Sequence, residues 1–310
     1  MNERIAVIGL GTMGAGIVEV FAAAGCEVAC FDHFPAACES VIDRIRISMD
    51  HKVTAEVMAR ETVPLALRRI KVSVTEADAA RDAAFIFEAI AEDLGEKQQL
   101  IARLEEVVSP EAIIATNTSS LSLADMTTSA RHRGRFVVAH WFNPAQIVPV
   151  VEVAPGPETA VRTVELTIDL LRRAGKVPIR LNKEVPGFIV NRVQVAMLRE
   201  VMALLEQGVA SAGDIDAAVR GSMGFRLAAS GPLEVCDFGG LDIWKRVYQN
   251  LSPLIRSDTL LPRVLADAVS AGNLGAKSGR GFYFYQATSH AQKTAERESR
   301  LLELLKALRK

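Results

Sequence analysis

A chain of 310 residues, 49% of them hydrophobic, is long enough for two domains and apolar enough to fill a core in each. Thirty-six Lys and Arg against thirty-seven Asp and Glu leave a net charge of -1, which argues against a nucleic-acid or anionic-membrane surface. The four cysteines, Cys26, Cys30, Cys38 and Cys236, show neither CxxC spacing nor a disulfide framework, so the sequence predicts no zinc site and a reducing compartment.

Met1-Asn2-Glu3-Arg4 leads straight into an apolar run, so no signal peptide is expected. With no stretch near the length of a membrane span, the expectation is a soluble cytoplasmic protein. Ile5 to Ile8 reads as a central strand, and Gly9-Leu10-Gly11-Thr12-Met13-Gly14 follows it at once. Ile17, Val20, Phe21 and Ala24 then recur at helical spacing, and Gly25 closes the helix. Strand, GxGxxG and helix thus come in the order that a dinucleotide-binding turn requires. The three glycines serve a tight turn, close approach of backbone to a pyrophosphate, and helix-to-strand packing, while the helix start offers free N–H groups to phosphate. Glu27 to Phe31 is a second strand, and Asp32 at its end can accept both hydroxyls of an adenosine ribose while repelling a 2′-phosphate. The predicted cofactor is therefore NAD rather than NADP.

Residues 36–68 read as irregular helix carrying Arg44, Arg46, Lys52, Arg60 and Arg68. They form either an arm beside the site or ordinary solvated faces, and the second is preferred. Strands are expected at Ile70 to Val74, Ala84 to Phe87 and Ala112 to Ala115, separated by helices such as Leu94 to Val108. Such alternation predicts a parallel sheet wound on both faces, with ligands at the carboxyl ends of its strands. Polar residues fall there: Glu88 and Glu92 after one strand, Asn117-Thr118-Ser119-Ser120 after the next. Ser119 or Ser120 could also simply cap a short helix near Leu121.

Residues 135–153 carry the chemistry. Phe136 to Ala139 and Val148 to Val153 read as buried strands joined by a loop that opens with His140 and is broken by Pro144. Glu152 lies inside the second strand. A histidine where a strand runs out, with a carboxylate in the strand that follows, is a candidate base with its orienting partner. Glu158 to Gly175 is an amphipathic helix, Val177 to Leu181 a last strand, and Pro186-Gly187 a domain boundary. From Phe188 to Leu205 apolar residues occupy most of the helical circumference, so this helix needs cover on most sides, plausibly from a second subunit. Asn191, near its start, wants a hydrogen-bond partner. Helices joined by glycine turns follow, Gly239 to Leu241 among them. The tail from Ala295 is amphipathic, with Lys306, Arg309 and Lys310 at its negative pole.

The segments GLGTMG, EAIAEDLGEKQQL, TNTSSL, HWFNP with Glu152, PGFIVNR and KSGRGFY together resemble the 3-hydroxyacyl-CoA dehydrogenase family over nearly the whole chain. The resemblance implies a Rossmann-type α/β, doubly wound NAD-binding domain over residues 1–185 and an all-α C-terminal domain over 186–310 that completes the site and forms a homodimer. It implies His140 as general base, Glu152 as its partner, and Ser119 and Asn191 as holders of the substrate's oxygens. Glu92, Lys97, Asn117, Asn143 and Lys277 would line the cofactor and substrate pocket. The reaction implied is NAD-dependent oxidation of a secondary hydroxyl, first of all in a 3-hydroxyacyl-CoA such as 3-hydroxybutyryl-CoA, within fatty acid metabolism. The long tail, the Ile147 to Glu152 run and the lack of a lysine cluster in residues 36–68 fit an alternative: relatives that oxidise L-gulonate, carnitine or a pyridine-ring intermediate of vitamin B6 breakdown without CoA. A non-enzymatic NAD-binding structural protein is a second alternative.

Overall fold

The computed structural model describes residues 3–285 and 290–308. Met1 and Asn2, and the expected tail cations Arg309 and Lys310, lie outside the described residues. Two compact units are present: Met1–Phe188 together with Ala295–Lys310, and Ile189–Thr294.

The first unit is built on β1 (Arg4–Ile8), α1 (Thr12–Ala23), β2 (Glu27–Phe31), α2 (Pro35–Thr54), α3 (Thr62–Arg68), β3 (Ile70–Val72), α4 (Glu76–Ala80), β4 (Phe85–Glu88) and α5 (Leu94–Glu105). It continues through β5 (Ile113–Thr116), α6 (Leu123–Met126), β6 (Phe136–Trp141), β7 (Val150–Ala154), α7 (Val161–Arg173) and β8 (Val177–Arg180). The eight strands lie in the order β3-β2-β1-β4-β5-β6-β7-β8. Side chains alternate across the sheet, so Ile5 and Val7 enter one apolar layer with α1 and α7, while Ala6 and Ile8 enter another with α5. That alternation is why every central strand reads as a continuous apolar run.

The sheet is mostly parallel rather than wholly so, because β6 and β7 pair antiparallel. A strand buried on both faces has the same composition in either direction, so the parallel, doubly wound sheet expected from the sequence carries no sign of this one reversal. His140 also lies within β6, not in the loop after it, since pairing with β7 extends the strand through Trp141.

The second unit is helical: α8 (Val190–Glu206), α9 (Ala212–Ala218), a π-helical stretch at Val219–Gly224, α10 (Phe225–Leu227), α11 (Pro232–Gly239), α12 (Leu241–Leu251) and α13 (Arg263–Ser270). Within it, Arg256 is bound to Glu206 and Asp258, and Tyr283 donates to Asp216. The tail helix α14 (His290–Leu308), expected in the helical half, joins the sheet unit from Ala295 onward. Its Leu302 is buried and its Lys306 pairs with Glu56 at the end of α2. Helical periodicity marks the apolar face of a segment but not the surface that covers it. Among the described residues, no helix is long and apolar enough to cross a membrane.

Candidate active site

β1 and β4 are neighbours though not consecutive, and the chain leaves them toward opposite sides of the sheet. A crevice opens at their carboxyl ends, where ligands of such sheets bind. The glycine turn forms one wall. Gly9 adopts φ +95°, and a Cβ there would stand 2.5 Å from the Ala89 carbonyl oxygen; a Cβ on Gly14 would stand 1.8 Å from that of Gly9. Gly11 differs, since a Cβ added to it meets nothing within 4 Å. Its open side, the unpaired amides that begin α1, and a first turn without acidic residues make a place for a pyrophosphate. Leu10 is buried, whereas Thr12 is exposed and Met13 half-buried beside that opening.

The turn is held from two sides. Asp32 accepts from the Leu10 amide at 2.6 Å and from the Phe34 amide at 2.8 Å. Arg44 donates to the carbonyls of Leu10 and Gly11 at 2.8 and 3.0 Å. A cleft of about 240 Å³ lined by Gly9, Asp32, His33, Ile90, Gln99 and Arg103 lies beside them.

The second wall comes from the ends of β4 and β5. Glu92 accepts from the Thr118 hydroxyl at 2.6 Å, the Ser119 amide at 3.0 Å, and the Ser120 amide and hydroxyl at 3.1 and 3.0 Å. Burial works against its ionisation, but the Thr118 hydroxyl, the Lys97 ammonium and the Ser119 and Ser120 donors outweigh it and hold the carboxyl at about 2. Neither Ser119 nor Ser120 caps a helix; Ser122 caps α6. Lys97 stands behind this wall with a buried side chain. Its ammonium is 2.7 and 2.8 Å from the two oxygens of Glu88, which also accepts from Thr116, and 3.4 Å from Glu92. So buried a carboxylate needs such a partner, and its loss would leave an uncompensated charge. Lys97 thus organises the carboxylates beneath the pocket floor.

The third wall is the β6–β7 pair, in which His140 and Glu152 face each other in register. His140 Nδ1 is 2.9 Å from Glu152 Oε2, with side chains 6% and 1% exposed. A carboxylate only accepts, so it fixes the hydrogen on Nδ1 and leaves Nε2 to act. The rings of Phe142 and Phe188 lie 4.6 and 5.2 Å from the imidazole. Phe188 is buried with φ +49°, a left-handed conformation costly for an aromatic residue. Asn117 accepts from the Trp141 amide at 2.9 Å, which ties β5 to the strand of the base and leaves its NH2 group to donate elsewhere. Asn143, three residues past His140, is exposed in the loop after β6.

Asn191 and Lys277 belong to the helical unit. The first is half-buried in the opening turn of α8 and the second is exposed in the Ala276–Ser278 turn. The sheet unit by itself brings together His140, Glu152, Asn117, Ser119 and Glu92 on one side and Asp32 with residues 9–14 on the other. Arg44, Thr118 and Phe188 were not expected in these roles. Arg44 had been read with the solvated basic residues, although it lies on the helix that follows the Asp32 turn.

Comparison with known proteins accords with this geometry. The NAD-binding domain of 3-hydroxyacyl-CoA dehydrogenase matches residues 4–185, and the C-terminal domain of the same family matches residues 187–285. The chain is 32% identical over 309 residues to 5-formyl-3-hydroxy-2-methylpyridine 4-carboxylate 5-dehydrogenase of Mesorhizobium japonicum, covering 99% of each chain. A crystal structure of a 5-dehydrogenase of that name, described as an NAD+-dependent dismutase, superposes with a TM-score of 0.92 at 30% identity, covering 100% of this chain and 99% of that one. The (S)-3-hydroxybutyryl-CoA dehydrogenase of Ralstonia eutropha, also 30% identical, reaches 0.75 and covers 91% of this chain and 99% of its own.

Proposed function

Since the chain belongs to the 3-hydroxyacyl-CoA dehydrogenase family and is an NAD-dependent oxidoreductase of that type, we propose that it oxidises a small hydroxy or formyl compound that carries no CoA, in the manner of the pyridine-ring dehydrogenase to which it is similar. The observation that carries this reading is the TM-score of 0.92 over the full chain, against 0.75 over 91% for a CoA-thioester enzyme of equal identity. It favours the alternative over the 3-hydroxyacyl-CoA expected first. Two of the arm cations agree with it: Arg44 is bound to the glycine turn and Lys52 to the buried Glu19, so both are committed within the protein.

In the proposed mechanism, His140 Nε2 takes the proton of the reacting hydroxyl, and Glu152 stabilises the imidazolium that forms. When bound, NAD supplies the acceptor for the hydride that leaves the same carbon. Ser119 hydrogen-bonds the oxygen whose charge changes, a task that the family resemblance alone also assigns to Asn191. A formyl group enters the same scheme as its hydrate, which presents a hydroxyl and a hydrogen on one carbon. Asn117 and Asn143 border the nicotinamide and substrate, while Glu92 and Lys97 shape the floor beneath; Lys277 is assigned to the pocket by the family resemblance alone. The protein acts as a homodimer in a reducing cytoplasm. In support of the homodimer, α8 leaves Val193 and Val195 exposed.

The test is NADH formation on a panel of free hydroxy acids, pyridine aldehydes and 3-hydroxyacyl-CoA thioesters. Free compounds are expected to be preferred, and the His140→Ala variant to bind NADH normally while turning over at least about a hundredfold more slowly. A CoA thioester preferred over every free compound would reject the substrate class; near-normal turnover by H140A would reject the base.

A further inference from the structure

The loop joining the strands of His140 and Glu152 runs from Phe142 to Pro149 and has little hydrogen bonding of its own, only the Ile147 and Val148 amides donating to the Pro144 carbonyl. Most of its remaining carbonyls are held by cations from elsewhere in the sheet unit. Lys176, just before β8, donates to the carbonyls of Ala145 and Val148 at 2.6 and 2.8 Å. Lys52 of α2 donates to that of Gln146 at 2.8 Å and is itself paired with the buried Glu19 at 2.6 Å. The loop also rests on α1 at Gly16, where a Cβ would meet Gln146 Oε1 at 2.6 Å and Ala145 Cβ at 2.9 Å.

The carbonyl of Asn143, early in the loop, is held at 3.2 Å by Arg297 of the tail helix. The next tail residue, Glu298, lines a cleft with Glu19, His51 and Gln146, so the tail meets both the loop and the group that anchors Lys52. We infer that Arg297 is a positioning residue: through the Asn143 carbonyl, the tail helix fixes the loop that connects the two members of the acid–base pair and carries Asn143 to the pocket. The tail lies past residue 285, where the family's C-terminal domain ends, so nothing in that domain assigns it a task. The inference rests on the reading of His140, Glu152 and Asn143 given above, but not on which substrate they serve.

Hydrogen exchange over residues 143–148 and steady-state kinetics on Arg297→Ala and Arg297→Lys, both in the full chain, test it. In R297A the loop amides are expected to exchange about fivefold faster, the scale of one hydrogen bond. The value of kcat/KM for the best substrate of the panel should fall by a similar factor, with NADH affinity and melting temperature unchanged. R297K, which keeps a donor of the same charge, should restore most of both. Unchanged loop exchange in R297A would overturn the inference, and so would faster exchange with unaltered kcat/KM, since the contact would then be structural alone. A panel in which only CoA thioesters react would reject the substrate class while leaving this test readable with the thioester.

Discussion

Two glycines of one turn have opposite prospects on substitution. Gly14→Ala places a methyl group 1.8 Å from a backbone oxygen that cannot step aside, so the variant is expected to melt at lower temperature and to lose NADH binding. Gly11→Ala meets no protein atom, and its φ of −62° suits alanine. Here the melting temperature should hold while NADH affinity falls at least about tenfold, because the methyl group occupies the space through which a pyrophosphate approaches. Calorimetry and NADH fluorescence separate the two outcomes, and normal NADH affinity in G11A would remove the turn from cofactor binding. The turn was legible residue by residue because each glycine answers a local need. Lys97 was not, since a sequence shows a lysine near two glutamates but not that all three are inside; its ammonium is turned to Glu88, beneath the pocket.

At the level of elements, the strand–turn–helix–strand run from β1 to β2 follows from periodicity and turn chemistry alone, and it agrees with the structure within a residue or two. The β6–β7 reversal and the docking of α14 do not, since both depend on long-range pairing that leaves no mark on local pattern. Docking of α14 carries its own pH dependence. Burial raises the Glu298 carboxyl above its ordinary value of 4.5, Glu19 adds to the rise, and His51, Arg297 and Lys52 oppose it. A carboxyl raised in the folded state binds protons more tightly there than in the unfolded chain, so stability falls as pH climbs from about 4.5 through the raised value. Glu298→Gln abolishes that loss. The variant should match the parent in melting temperature near pH 4 and exceed it near neutrality, with slower exchange in α14; equal melting at both values would show that the carboxyl is not penalised.

For the whole molecule, the expected homodimer turns on apolar surface that one chain leaves uncovered. In the helical unit, Phe225, Leu233, Phe238, Leu241 and Tyr248 are all largely exposed, in addition to Val193 and Val195. Large apolar side chains left exposed in this number suit contact with another macromolecule, and a patch formed by them would be buried there. Light scattering on the intact protein should give twice the chain mass of 33.5 kDa, and a Val195→Glu substitution should shift it toward the monomer. A monomer at micromolar concentration would leave these side chains to some other partner.

The pairing of His140 with Glu152 across adjacent strands places both members of the proposed acid–base pair in a single hairpin of a single unit. Since both side chains are fixed by one ladder of backbone hydrogen bonds, the separation of imidazole and carboxylate is set by strand register. Substitutions elsewhere in the sheet unit can therefore alter what lines the pocket while this pair keeps its spacing.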